Sequence, residues 1–407
     1  MKKTAWLAGL LALFAWNAVA QEAPAPVAEA SASPKITYKI GGYAQFDYRA
    51  NGKDHAGTDG FKIRRARISV KGTIDDIWGY RVYIDPARDT GLLQEAWLEY
   101  NRIPEAKVKI GQYKAPFSLE ALTSSDAIDF IEAPTAWDKI APYEDVGATL
   151  SGKFLGGMFT YSVGKFNAQG KNADDTDDNG DGVGRVTVAP VDWMEFGANY
   201  MAGLRKNTIL DDQKTGTKTV VKTELKTAMG TKFLAFGDGT KTKVVTVGED
   251  LTRQGVDVAV AMGPFLVKAE QISATYGGVT DGTAKTDVTL TSQYATLSVM
   301  LTGEERKLGR PVQPASRFDE NGWGAWELGV RSESFKTNQE AFDKTLVQGV
   351  RQVNGTTVGL TMWANSNVKV MLNYINNTFS EVPLSAVGSD ITKKTETGTY
   401  GRFQLSY

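Results

Sequence analysis

The chain has 407 residues, 23% charged and 42% hydrophobic, with 46 basic side chains against 47 acidic ones. No uninterrupted run of 18 apolar residues occurs, which excludes helical membrane spans. The absence of Cys excludes disulfides and thiolate zinc sites, and a single histidine, His55, excludes His-clustered metal centres. Balanced charge argues against a nucleic-acid binder, and 42 Gly with 15 Tyr and 17 Phe point to many strands and turns.

Lys2 and Lys3 precede the apolar stretch from Ala5 to Trp16, and Ala18-Val19-Ala20 is a small-x-small cleavage site. Residues 1–20 therefore read as a secretory signal peptide, and Gln21 as the mature N-terminus. Its removal takes away two lysines, so the net charge passes from -1 to -3. Residues 21–34, rich in Ala, Pro and Ser, read as a flexible leader. Residues 35–407 form the body.

The body alternates with period two. Tyr38, Ile40, Gly42, Ala44, Phe46 and Tyr48 share one face; Lys39, Tyr43, Gln45, Asp47 and Arg49 share the other. Such a segment is a strand with one apolar and one polar face. Similar segments follow near 60–73, 78–86, 92–101, 105–113, 144–154, 157–167, 183–190 and 193–204. They resume at 254–263, 264–273, 288–305, 322–336, 354–364, 367–379 and 396–407, sixteen in all. Most have the length of a tilted membrane-crossing strand.

The links sort by parity. Those after even strands are short, such as 75–78, 102–106 and 154–157. Those after odd strands are longer, such as 113–143, 168–182 and 205–253. One end carries turns and the other carries loops, as in an outer-membrane barrel. The exception is 306–321, a long link at the short-turn end. The chain stops on Phe403, Leu405 and Tyr407, all on the apolar face. The expected fold is all-β: a transmembrane antiparallel barrel of about 16 strands.

Segment 60–73 breaks its own alternation. Phe61 and Ile63 share a parity with Arg65 and Arg67, whereas Ala66, Ile68 and Val70 take the other. A bulge near Arg64 would reset the register and bring Arg64, Arg65 and Arg67 to one level. Lipid-facing alternation assigns further basic residues to the lumen, among them Lys71, Arg81, Lys109 and Arg331. Charges in a pore shape which ions enter; a lumen lined by compensating ion pairs is the plainer reading at any single position. Loop 113–143 holds Phe117, Leu119, Leu122, Ile128, Phe130, Ile131 and Trp137, too apolar for water, and is expected to fold inward and narrow the bore. Lys114 enters it and Lys139 lies within it, opposed by five carboxylates between Glu120 and Asp138.

The stretches FKIRRARISVKG (61–72), GQYKAPFSLE (111–120), DFIEAP (129–134) and GWGAWELGVRS (322–332) resemble the phosphate-selective porin O and P family. The resemblance implies a homotrimeric outer-membrane channel in which the third loop forms the constriction. It also implies anion selectivity from inward Arg and Lys. Arg64 and Arg65 match the family's double arginine at the narrow zone, and Lys114 is a looser match. The chain departs from the phosphate-specific members in showing no arginine ladder. Loop 205–253 instead holds Lys214, Lys218, Lys222, Lys226, Lys232, Lys241 and Lys243, point charges without the planar fork of Arg.

The expected function is passive diffusion of small anions, phosphate or related oxyanions among them. A general low-selectivity porin and an adhesive barrel plugged by its loops stay open as alternatives. The constriction set is Arg64, Arg65, Arg67, Lys114 and Lys139. Expected partners are anionic solutes, outer-membrane lipid, two further copies of the chain, and the barrel assembly machinery through the strand ending at Tyr407. No cofactor, nucleic acid or catalysis is expected: Asp54 and His55 sit among turn formers with no nucleophile. A weak calcium candidate, Asp175, Asp177, Asn179 and Asp181, has Val186 where a bidentate Glu belongs.

Overall fold

The computed structural model describes residues 33–52, 57–88, 91–175, 179–205, 208–211, 224–237, 244–384 and 394–407. The signal peptide, nearly all of the leader, Asp54, His55, Asp177 and most of the loop lysines lie outside them.

Sixteen strands form the wall. They are β1 (Ile36–Asn51), β2 (Gly60–Ile74), β3 (Trp78–Ile84), β4 (Leu93–Tyr100), β5 (Lys107–Lys114), β6 (Glu144–Phe154), β7 (Phe159–Phe166) and β8 (Asp181–Val191). The second half has β9 (Met194–Leu204), β10 (Asp250–Met262), β11 (Phe265–Thr280), β12 (Lys285–Met300), β13 (Ala325–Thr337), β14 (Gln352–Trp363), β15 (Val368–Phe379) and β16 (Thr395–Ser406). Each pairs antiparallel with its sequence neighbours. The sheet closes where β1 meets β16, from Tyr43↔Ser406 to Asn51↔Gly398. Gly42 and Tyr407 exchange backbone bonds of 3.1 and 3.0 Å beside that seam. Closure leaves no open edge, which hydrocarbon requires.

The short turns need unusual backbone. Asp75 and Asp76 both adopt positive φ (52° and 58°) between β2 and β3, the pair that lets a tight hairpin follow the strand twist. Gly263 (φ 57°) does the same before Pro264. The long link after β12 runs over 301–324, wider than the 306–321 expected, because β12 ends at Met300.

Register turns period-two segments into rows around the wall. Phe265, Val299, Leu328, Leu360 and Leu372 are successive cross-strand partners, and Val267, Leu297, Val330, Val358 and Tyr374 form the next row. All face outward. Toward the long loops the same face becomes Gln271, Gln293, Ser334, Asn354 and Thr378, so the apolar belt is bounded.

The third long loop, here L3 (residues 115–143), folds inward. It carries two single-turn helices, α1 (Leu119–Leu122) and α2 (Trp137–Ile140). Phe117, Phe130, Ile131 and Trp137 are all buried, worth roughly 1.5–3 kcal/mol for each large side chain withdrawn from water. Leu122 stays exposed. Wall side chains pin its backbone. Ser118 N donates to Asn199 Oδ1 (2.6 Å), Leu119 N and Glu120 N donate to Glu270, and Ile131 N donates to Asn373 Oδ1 (2.7 Å). Gln45 Nε2 and Gln404 Nε2 donate to Ser125 O and Asp126 O.

A second inward element comes from the lysine-rich loop. Glu224–Lys226 pairs with Lys232–Phe236, which pairs in turn with Val347–Gly349. Phe233 and Phe236 pack edge-on against Phe335 and Tyr276, with centroids 5.1 and 5.3 Å apart.

Leu372 lies in the middle of the belt and is 52% exposed. Leu372→Arg should destabilise the barrel by roughly 2–4 kcal/mol, read by equilibrium unfolding in lipid vesicles. An unchanged midpoint would place that row outside the membrane.

Candidate permeation site

The site begins at a break in the wall. Gln45 pairs with Arg65 and Phe46 pairs with Ile63, leaving Arg64 as an extra residue in β2. The bulge sits where the alternation fails. Phe61 and Ile63 keep their outward face above it, and Arg65 and Arg67 turn inward below it.

A cavity of about 1040 Å³ lies between this wall and L3. All five residues expected at the constriction, Arg64, Arg65, Arg67, Lys114 and Lys139, line it. So do Arg88, Lys171, Lys226, Lys232 and Arg331, which makes ten basic residues against five acidic, Glu120, Glu132, Glu144, Glu224 and Glu333.

Contacts divide the cations into spent and available charge. Arg67 is spent: Nε donates to Asp85 Oδ2 (3.1 Å), and the guanidinium lies between the Tyr43 and Tyr83 rings. Arg331 pairs with Glu333 at 2.7 Å, Lys171 with Glu144 at 3.9 Å, and both Lys226 and Lys232 face Glu224. Arg64 stands 3.8 Å from Glu132, whose other oxygen is taken by Arg49. Arg65 donates to the neutral Gln45 Oε1, at 2.9 Å. Lys114 donates to two backbone carbonyls, Ala121 O and Thr123 O, at 2.6 and 2.9 Å. Among the described residues no carboxylate lies within ion-pair distance of Arg65 or Lys114.

Elsewhere in the lumen, Arg81 pairs with Glu95 and Lys109 with Glu99, both at 3.1 Å. Both also lie over aromatic rings, Tyr83 and Trp97. Lys71 is exposed, with Lys39 and Arg81 as its cross-strand partners.

Two carboxylates of L3 respond oppositely to one interior. Burial pushes Glu132 up, but Arg64, Arg49, Arg402 and Arg65 outweigh it and bring it down to about 2. Glu120 is pushed above the usual glutamate value, because burial outweighs the attraction of Lys268 and Arg331. Its side chain is half-buried and lines the cavity.

Sequence reasoning missed Arg88 and Lys171, which stand on loops where no period assigns a face. It counted Lys226 and Lys232 without placing them. Of the calcium candidates, Asp181 belongs to β8 and is buried against Arg205 (2.6 Å) and Arg253 (3.3 Å), leaving it poorly disposed to hold a cation. Among the described residues no cluster of three or more metal-ligating side chains occurs.

Residues 38–405 match the family described as phosphate-selective porin O and P. The chain belongs to that family. It is an outer-membrane porin, a channel in class. It is similar to Porin O of Pseudomonas aeruginosa, 26% identical over 85% of this chain and 84% of that one. In structure the porin is similar to the anion-selective porin from Comamonas acidovorans (TM-score 0.58, 11% identity, covering 92% of this chain and 100% of the other). It is also similar to the trimer form of OmpT from Vibrio cholerae (TM-score 0.50, 12% identity, covering 91% and 99%). At such identities these two likenesses speak to the fold.

A raised carboxyl takes up its proton earlier as pH falls, so acidification removes the Glu120 charge before that of an ordinary glutamate. Anion preference should therefore rise on mild acidification, and Glu120→Gln should have the raised preference already at neutral pH. Reversal potentials across a salt gradient measure this. A Glu120→Gln porin with the parent's full pH response would show that Glu120 does not face the permeation path.

Proposed function

We propose that this porin passes small anions, oxyanions such as phosphate among them, through the gap between L3 and the β2–β5 wall. The observation that carries the reading is that, among the described residues, no carboxylate lies within ion-pair distance of Arg65 or Lys114, in a cavity lined by more basic than acidic side chains. Arg64 and Arg65 present planar forks suited to bidentate oxyanion contacts. Lys114 adds a point charge, and Lys139 stands beside the route on α2. Burial of these groups beside low-dielectric walls strengthens their field over that of surface lysines.

A weakly selective diffusion pore is the second reading. It is favoured by the number of lumen charges already paired, Arg67, Arg81, Lys109 and Arg331 among them. The working unit in this proposal is a homotrimer, in line with the trimer form of the related fold. Its outward rows face lipid, its β16 end at Tyr407 is offered to the assembly machinery, and its residues 1–20 are removed on export.

Replacing both Arg65 and Lys114 by Gln should move the reversal potential toward cations and weaken the block of chloride current by phosphate. The same change at Arg81 and Lys109, already balanced by Glu95 and Glu99, should have a smaller effect. Equal shifts from the two pairs would favour the weakly selective pore.

A further inference from the structure

The crossover 301–324 stands out among the joins at the short-turn end. It is long, and it does not hang free. Val312 is buried beside Met300, Ala325 and Trp363, and Arg306 N donates to Gly263 O at 2.7 Å. From there the Arg306 side chain, 7% exposed, reaches into the lumen. Its Nη2 lies 3.0 Å from Asp129 Oδ1 and its Nε 3.4 Å from Glu327 Oε1. Asp129 belongs to L3, and its second oxygen accepts from Lys268 Nζ at 2.6 Å. Glu327 is held by Ser298 Oγ (2.6 Å) and Trp363 Nε1 (3.3 Å).

The anchors of L3 described above sit on wall strands, which the bilayer and sixteen pairings keep rigid. Arg306 reaches L3 from a segment outside the wall. Its contact falls three residues from Glu132, the carboxylate that faces Arg49 and Arg64. We infer that Arg306 is a positioning residue for the pore: it touches no solute and fixes the L3 segment around Glu132 through Asp129. The inference rests on the anion-pore reading of the site. Buried charge pairs of this kind are retained where they specify one arrangement among several, even when they add little net stability. Removing the guanidinium would leave Lys268 as the one ion-pair partner of Asp129 among the described residues, and Glu327 with its Ser298 and Trp363 hydrogen bonds but no ion pair among them.

The test is single-channel recording of the full-length porin carrying Arg306→Met, Arg306→Lys, Asp129→Asn, or Arg306→Met with Asp129→Asn, with heat-modifiable migration as the check of assembly. Arg306→Met should show several-fold greater open-channel noise, closure at lower voltage and a reversal potential moved toward cations. Arg306→Lys should restore the reversal potential. Asp129→Asn should raise the noise too but move the reversal potential toward anions, since a negative charge has gone. A loss of packing alone would not give shifts of opposite sign. The double variant should be no noisier than either single one, because both act through one contact. Parent-like noise and closure in Arg306→Met would overturn the inference. If that variant fails to assemble, parent-like noise in Asp129→Asn overturns it instead. A parent channel without anion preference would overturn the reading of the site, while the noise comparison still decides the role of Arg306.

Discussion

A peptide N–H or C=O in hydrocarbon finds no water, and leaving one unpaired costs several kcal/mol. Each of the sixteen strands answers this with two antiparallel neighbours, and the sixteenth answers it by returning to the first. The other features of the wall depend on that closure. Antiparallel neighbours put successive links at alternate ends, so turns gather at one end and loops at the other. A fixed register lines outward side chains into rows, and the rows make a belt of Phe, Val and Leu. At β2 one extra residue is tolerated because the bulge loses little pairing, and the loss is what turns Arg65 and Arg67 inward.

Closure creates a second problem, an interior too wide for wall side chains to fill. Loops fill it. L3 crosses the lumen with its aromatic side chains against the wall, and its backbone is satisfied by Asn199, Glu270, Glu333, Asn373, Gln404 and Gln45. These amides and carboxylates sit at lumen-facing positions, yet they serve the loop rather than the water. Inward polar residues therefore do three kinds of work. Some anchor a loop, some cancel a neighbouring charge, and a few, Arg65 and Lys114 among them, have no carboxylate within ion-pair distance among the described residues.

Much of this was legible in advance. Alternation located the sixteen strands and their faces, because a strand's side chains change side at every residue whatever surrounds them. The break in that alternation located the bulge at Arg64. The apolar content of residues 113–143 told that L3 could not stay in water. The link 306–321 stood out as anomalous, but nothing in its composition told that Arg306 would be buried under L3. Arg88 and Lys171 were hidden for a related reason, since loop residues have no period from which to read a face. Asp181 looked like a loop oxygen and proved to be a strand residue bridged by two arginines.

By itself the sequence determined which segments cross the membrane and, along those strands, which side chains meet lipid and which face the lumen. Those properties follow from local backbone geometry and from the cost of exposing polar groups to hydrocarbon. Only the tertiary structure decided which inward charges are spent. Arg67 and Arg65 stand two residues apart on the same face of β2, yet one meets Asp85 and the other, among the described residues, a neutral amide. Their difference arises from what the neighbouring strand and the loop beyond β3 bring within reach. Coulomb interaction at such short range depends on ångströms across space, which a linear order of residues does not carry.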